Sequence, residues 1–471
     1  MTRKNVTPPA SADANAKFQS PFPPLELSIE DEAQLEGVAH IFVQNTITQY
    51  QKYQLLDHRI VDRDVWKFMK RRENIRAYVE RCGKETAKRM RRHERRNYEF
   101  HRAHRREAAG SSTGLDPDTE STTASWSPAS NASHPQQQLN EQHHDAPKPR
   151  LPQDLPVILV VGTMEGTVQD FMLGAVNPTV EEMRVKTSYV RDTYVGAAVL
   201  AKIITPTPSD PFRSLSIKWL ESSQPVPLDK LVKNRDSVVL ESTGFTQLSN
   251  GESVGYVLLH TVHLPQTQPL PGRIRGNISI CCLVRQHSPT TVDVFLKAYL
   301  NPLSGLMRSL VVKNTVHSVY SVWNYVHCGR MKKLAWALTQ QNKCPVEQIE
   351  NTSNGKGNES CINCKKRPTR HRFRANKQFS TCKLCFEHIC NACAIKKKMS
   401  CVTADTGGLQ QKEITFCALC IHTAMIQTDT KAVASEKVGS TMPALPPMKN
   451  VYTASSIAIS DKSLFDHRPP W

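Results

Sequence analysis

The sequence lacks any uninterrupted apolar run near the roughly 18 residues that a membrane span needs. Its opening stretch, Met1 to Pro24, lacks the apolar centre of a secretory leader. The expectation is an intracellular, cytoplasmic protein. No Gly-rich phosphate loop, no His-Glu metalloprotease motif and no Cys-His nucleophile pair is present, so the reading is a protein that is not an enzyme. Aromatic residues are few, at 7%, and only 39% of the 471 residues are apolar, with a mean hydropathy of -0.45. Polar segments without a packed core therefore dilute the folded parts. Acidic charge is also short: 43 Asp and Glu stand against 61 Lys and Arg, a net charge of +18. Such a chain seeks anions, whether nucleic acid, acidic protein or anionic lipid.

What is present falls into blocks. Residues 1–26 are rich in Pro, Ser, Thr and Ala and read as a disordered arm. Ser28-Ile29-Glu30-Asp31 has the form of a capping box, and Leu35, Val38, Phe42 and Val43 follow at helical spacing. Two short strands, around Trp66 and Tyr78, flank a charged turn. Residues 81–107 are strongly basic: Arg81 to Arg106 hold eleven cations against Glu85, Glu94 and Glu99. They read as a solvated segment, or as an electrostatic tether. Residues 108–150 are a polar, disordered insertion.

From Leu155 onward, strand patterns dominate, broken by a helical stretch over Val180 to Tyr189. In Thr291 to Leu300 the residues Val292, Val294 and Leu296 alternate with Asp293 and Lys297, the pattern of a half-buried antiparallel strand. Arg273, Arg275, Arg285 and Asp293 sit on these strands, at surface positions or as inward polar anchors. The period then changes: Leu303, Leu306, Met307, Leu310, Val312, Val316, Val319, Tyr320, Trp323 and Val326 fit one broad helical face. An antiparallel sheet closed by a long C-terminal helix leaves room for a ligand between them.

The run Asn234 to Gly244, the strand Val254 to Leu264, and the last strand with its helix resemble a START-type lipid-binding domain. The likeness is strongest to the divergent form found in many oomycete proteins. Trp66-Lys67 and Pro211 to Trp219 fit the same pattern. The resemblance implies a helix-grip fold over residues 27–340, a hydrophobic cavity for one lipid, and the C-terminal helix as its lid.

Fourteen cysteines in such a chain argue for metal rather than disulfides. Eight form CxxC knuckles: Cys361 and Cys364, Cys382 and Cys385, Cys390 and Cys393, Cys417 and Cys420, separated by 17, 4 and 23 residues. Each knuckle chelates one ion with two thiolates, and two knuckles close a tetrahedral site. Eight cysteines thus make two structural zinc sites with no open position. The short gap between the second and third knuckles suits a cross-brace, pairing the first with the third and the second with the fourth.

This spacing resembles the FYVE-type zinc finger over residues 359–425. That family recognises phosphatidylinositol 3-phosphate on endosomes, which implies an anionic or phosphoinositide membrane surface as partner. Of its lipid motifs, only Lys383, as a cation after Cys382, is retained. Candidate contacts to anionic lipid are Arg372, Arg374, Lys377, Lys383, Lys396, Lys397 and Lys398. A RING finger, the competing cross-brace, usually uses a His, and His388 is close, but eight cysteines already supply every ligand.

The fold class expected is therefore α+β: a START-like helix-grip, a linker over 341–358, a small cross-braced zinc finger, and a disordered tail over 426–471. Two functions stay open. One is a lipid-binding adaptor that is peripheral on endosomal membrane. The other is a zinc-dependent protein-interaction scaffold, ubiquitin-ligase-like, with no bound lipid. Nucleic acid is the least favoured partner, because an interleaved eight-cysteine module is chiefly a protein or lipid reader.

Overall fold

A computed structural model describes residues 19–81, 156–192, 194–223, 233–301, 308–343, 360–367, 379–403 and 407–439. The basic segment after Arg81, the insertion 108–150, and the candidate contacts Arg372, Arg374 and Lys377 lie outside the described residues. The described residues form two compact units. One holds Ala16–Pro206 together with Phe212–Arg330; the other holds Thr207–Pro211 and the described residues from Met331 on.

The first unit opens with helix α1 (Ile29–Leu55). Ser28 caps it: the Asp31 N–H donates to Ser28 Oγ at 3.1 Å, and the Ser28 N–H donates back to the Asp31 carboxylate at 3.2 Å. The reciprocal pair satisfies two donors that the first turn leaves without partners. Ala39, Val43, Ile47 and Tyr50 are buried along one face. Phe22 and Leu25, read from sequence as the end of a disordered arm, are buried in the same core.

Ten strands build a single sheet: β1 (Trp66–Arg72), β2 (Ile75–Glu80), β3 (Val157–Glu165), β4 (Tyr194–Ile204), β5 (Ser214–Ser222), β6 (Arg235–Gln247), β7 (Ser253–Thr261), β8 (Ile274–Arg275), β9 (Asn277–Ser288) and β10 (Thr291–Asn301). Their order is β1-β2-β3-β10-β9-β7-β6-β5-β4, antiparallel throughout, with the short β8 parallel to β6. The sheet is covered on both faces, which is why Val157–Val161 reads as an unbroken apolar run. Leu159, Val161, Ile217, Trp219, Leu240, Leu258, Leu283 and Phe295 pack with α1 on one face. Their strand neighbours, among them Leu220, Leu259, Cys282 and Leu296, point to the other.

That second face carries helices α2 (Val168–Ala175), α3 (Val180–Val190), α4 (Arg308–Val319) and the start of α5 (Tyr325–Lys343). The long C-terminal helix expected from the sequence is thus two helices. Between them, Tyr320–Asn324 forms a 3-10 turn. The Tyr320 hydroxyl donates to the carbonyls of Lys70 (3.0 Å) and Ile75 (3.2 Å), and Asn324 Nδ2 donates to the Val190 carbonyl at 2.8 Å. These tertiary bonds, in a stretch of middling helix formers, override the apolar period.

Helix α2, which the sequence reading missed, meets α5 at two glycines. A Cβ on Gly174 would collide with the Tyr325 carbonyl oxygen, and one on Gly329 with the Asp170 carbonyl oxygen. Only glycine lets the two backbones approach this closely.

In the second unit, two small hairpins form from β11 (Phe379–Thr381) with β12 (His388–Cys390) and β13 (Ile395–Val402) with β14 (Leu409–Phe416). Short helix α6 (Ala418–His422) follows. The stretch 426–471, expected to be disordered, contains helix α7 (Thr430–Gly439). It packs on the last turns of α5: Lys333 Nζ donates to Thr430 Oγ1 at 3.1 Å and Trp336 Nε1 to Glu436 at 3.0 Å. No helix among the described residues is long and apolar enough to cross a membrane.

Candidate ligand cavity and candidate metal centres

Between the second face of the sheet and helices α3 to α5 lies a cavity of about 60 Å³. Room for a water takes ~10–15 Å³ on this measure, so the space holds a handful of waters or a short chain segment. Its apolar wall comprises Val257, Leu259, Ile280, Leu296, Val319 and Val322. Tyr320 and Trp323 do not fill it. Tyr320 bonds to the β1–β2 hairpin, and Trp323 lies under the Arg72 guanidinium, 5.2 Å from ring centre.

One end of the cavity is polar. Lys218 on β5, its side chain 1% exposed, forms an ion pair with Glu241 on β6. Its ammonium also donates to the Asn177 carbonyl (2.8 Å) and Asn177 Oδ1 (2.7 Å), so all three of its protons are used. Lys186 on α3 lies 3.9 Å from Glu241 and 5.0 Å from the centre of the Tyr325 ring. Asp192 follows α3. Burial pushes its carboxyl up to about 6, against the opposing pull of Lys186, the Tyr194 N–H and the Thr187 hydroxyl. Burial also raises the hydroxyls of Tyr194 and Tyr325. Two lysines and two carboxylates thus meet in one apolar surround. Burying ions is costly unless they are paired, and this set is balanced.

The sequence reading did not find these residues. Its own polar candidates are engaged elsewhere, in ion pairs. Arg273 pairs with Glu221, Arg275 with Asp236, and Arg285 with Glu252, while Asp293 accepts from Tyr50 and Arg59. A signal for the cavity was present: Lys218 lies among apolar neighbours in Ile217-Lys218-Trp219-Leu220, and Glu241 follows Val238-Val239-Leu240.

In the second unit the structure brings the eight knuckle cysteines into two sets. Cys361, Cys364, Cys390 and Cys393 form one; Cys382, Cys385, Cys417 and Cys420 form the other, and within each set the sulfurs lie within 4.8 Å of one another. The knuckles are therefore interleaved. Cys364 and Cys390 Sγ are 3.6 Å apart, and Cys385 and Cys417 Sγ 3.9 Å. A tetrahedral ion with bonds of about 2.3 Å holds its sulfurs about 3.8 Å apart, so both sets fit such an ion. For Cys361, burial alone would raise the thiol, but the N–H groups of Cys364, Cys390 and Asn363 outweigh it and bring it down to about 6. The Cys417 N–H donates to Cys382 Sγ at 3.3 Å. Amides aimed at sulfur favour thiolates, the form a metal binds.

Of the candidate lipid contacts, Lys396 and Lys398 share one face of β13 and Lys397 takes the other. The three do not form one patch. Lys396 also pairs with Glu413 at 2.9 Å. Lys383 reaches the same hairpin: its N–H donates to the carbonyl of Thr415, the residue opposite Lys396.

No family model matches the chain, and no curated protein matches it. Solved structures do. Human StAR-related lipid transfer protein 5 is 13% identical, with a TM-score of 0.34, over 62% of this chain and 97% of that one. Human STARD10 is 10% identical, with a TM-score of 0.33, over 64% and 88%. A STAR-related lipid transfer protein fragment from Xanthomonas axonopodis is 15% identical, with a TM-score of 0.30, over 56% and 96%. Likeness of this degree carries no argument about ligand, and the functional reading rests on the cavity and the cysteines.

Proposed function

We propose that this chain is a non-enzymatic lipid-binding protein. Its ligand places its head group and a short chain segment in the cavity between the sheet and helices α3 to α5, and two zinc ions order its second unit. The cavity carries the proposal. An apolar wall ends on the charge-balanced group Lys186, Lys218, Glu241 and Asp192, so an amphiphile is matched at both ends. Zinc is the ion that four closed thiolate positions suit best, and such sites are structural. The basic zinc unit then attaches the protein to an anionic membrane surface, endosomal phosphoinositide included, through Lys383, Lys396 and Lys398.

The test is mass spectrometry of lipids that co-purify with the full chain under native conditions. The expected result is one lipid class near one mole per mole, lost when Val257 and Leu296 on the apolar wall are both changed to Trp. A protein that carries no lipid and takes none up from mixed vesicles would overturn the reading.

A second reading is a zinc-dependent interaction scaffold, favoured by two exposed apolar side chains beside the second cysteine set. Phe386 is 44% exposed and Leu419 65%, and each neighbours a cysteine of that set. Phe386 holds φ at 59°, a conformation a bulky side chain rarely adopts. Empty cavities in the lipid analysis would favour this reading.

A further inference from the structure

The hairpin of β1 and β2 is one edge of the ten-stranded sheet and belongs to neither site described above. From Lys67 to Arg76 it carries Lys67, Lys70, Arg71, Arg72 and Arg76 against one acid, Glu73. All five cations are exposed. None of them makes an ion pair among the described residues. Exposed cations elsewhere do: Arg213 pairs with Glu36 and Lys396 with Glu413.

The arrangement goes beyond what a protected edge strand needs. One or two charges suffice to keep an edge from pairing with another chain. Here Arg71 lies directly opposite Arg76, a like-charge pair that costs stability. Lys70 lies over the Tyr320 ring at 5.0 Å and Arg72 over the Trp323 ring at 5.2 Å. Stacking on a ring fixes a cation without neutralising it. Positive charge thus lies on both faces of the hairpin, and stacking holds it in place on the face that meets Tyr320 and Trp323.

Apolar side chains accompany it. Phe68, 53% exposed, lies edge-on to Tyr78 at 5.8 Å. The turn that ends α1 exposes Leu55, Leu56 and Ile60, each by two-thirds or more. This turn is next to the hairpin: Arg76 and Tyr78 are close enough to Tyr53 to perturb its hydroxyl, and Tyr53 bonds to the Arg59 carbonyl. Asp57, Asp62 and Asp64 lie in the same turn, so the hairpin supplies the attraction and the turn mainly apolar contact.

We infer that the β1–β2 hairpin, with the adjoining end of α1, docks the protein on an anionic lipid bilayer. Unpaired cations interleaved with exposed Phe and Leu suit a charged headgroup layer above hydrocarbon. A nucleic acid would satisfy the cations but leave Leu55, Leu56 and Ile60 unused. Each Lys or Arg near an anionic membrane adds about 1 kcal/mol, so a few unpaired cations give measurable attachment. The inference does not depend on the cavity ligand or the metals.

The experiment is vesicle co-sedimentation of the full chain with phosphatidylcholine, alone or with about one-third phosphatidylserine. The expected result is binding only to the mixed vesicles. Arg71→Gln with Arg76→Gln should weaken it about 25-fold, the equivalent of two lost cations. Phe68→Ser should weaken it about 5-fold, and the phosphatidylserine vesicles should release the parent protein as salt rises. Both variants should retain the parent's circular dichroism and its co-purified lipid. Unchanged binding by the double arginine variant would overturn the inference. So would equal binding to neutral vesicles, or tighter retention on a short nucleic acid duplex than on the vesicles at the same salt.

Discussion

The hydroxyl of Tyr50 donates to the carboxylate of Asp293 at 2.6 Å, joining the first helix to the last strand of the sheet. Arg59 reaches the same oxygen at 3.0 Å, and Arg285 donates to the Tyr50 oxygen at 3.1 Å. Burial first, and the Asp293 charge second, raise the Tyr50 hydroxyl well above its ordinary range. Tyr50→Phe should cost about 1–3 kcal/mol, because Asp293 keeps Arg59 but loses a buried donor. Asp293→Ala should cost more, since it leaves Tyr50 and two guanidiniums facing a void. Urea titration of both variants measures the order.

Lys218 and Glu241 allow a sharper comparison. Removing one partner leaves a buried charge uncompensated, at ~3–5 kcal/mol. Glu241→Leu should therefore destabilise strongly. Adding Lys218→Met to it should recover much of the loss while removing one ion pair from the polar end of the cavity. A double-mutant cycle in urea reads the coupling, and additive losses would show that the pair is not linked in this way.

Asp192 gives a pH dependence of known sign. Its folded carboxyl titrates near 6, above the ordinary value of 3.8, because burial disfavours its charge. Below about pH 4 both folded and unfolded chains carry the proton and there is no penalty. The penalty builds as pH rises towards about 6 and is constant above that. Asp192→Asn should thus be more stable than the parent at pH 7, with the difference vanishing near pH 4. Thermal melts across that range measure it.

Metal removal should act on one unit only. The cysteine sets lie wholly between Cys361 and Cys420, and structural zinc supplies much of the folding free energy of such modules. Cys382→Ser should lower the metal content from two ions per chain to one or none. It should open residues 360–425 to protease while the sheet stays intact. Metal analysis with limited proteolysis tests both parts.

Most of the fold was legible because its signals are local. The Ser28–Asp31 cap, the alternation of Val292, Val294 and Leu296, and the four CxxC spacings each depend on residues a few positions apart. The cavity was not legible, because its polar end is assembled from Asn177, Lys186, Asp192 and Glu241, backed by Lys218, which are far apart in sequence. Helix α2 was hidden for a related reason: seven of its eight residues are buried, so it has no polar face to set a period. The break at Tyr320–Asn324 comes from bonds to Lys70, Ile75 and Val190, far away in sequence.

The glycine crossing and that break together determine how the helical wall of the cavity is held. At Gly174 and Gly329 the backbones of α2 and α5 touch, so the start of α5 is a fixed post. Helix α4, which brings Ser318 and Val319 to the cavity, is separated from it by the 3-10 turn. The helical wall of the cavity is thus two separately held pieces, α4 before the 3-10 turn at Tyr320–Asn324 and α5 after it. The first piece is tied to the β1–β2 hairpin through the Tyr320 hydroxyl, the second to α2 through the contact of their backbones.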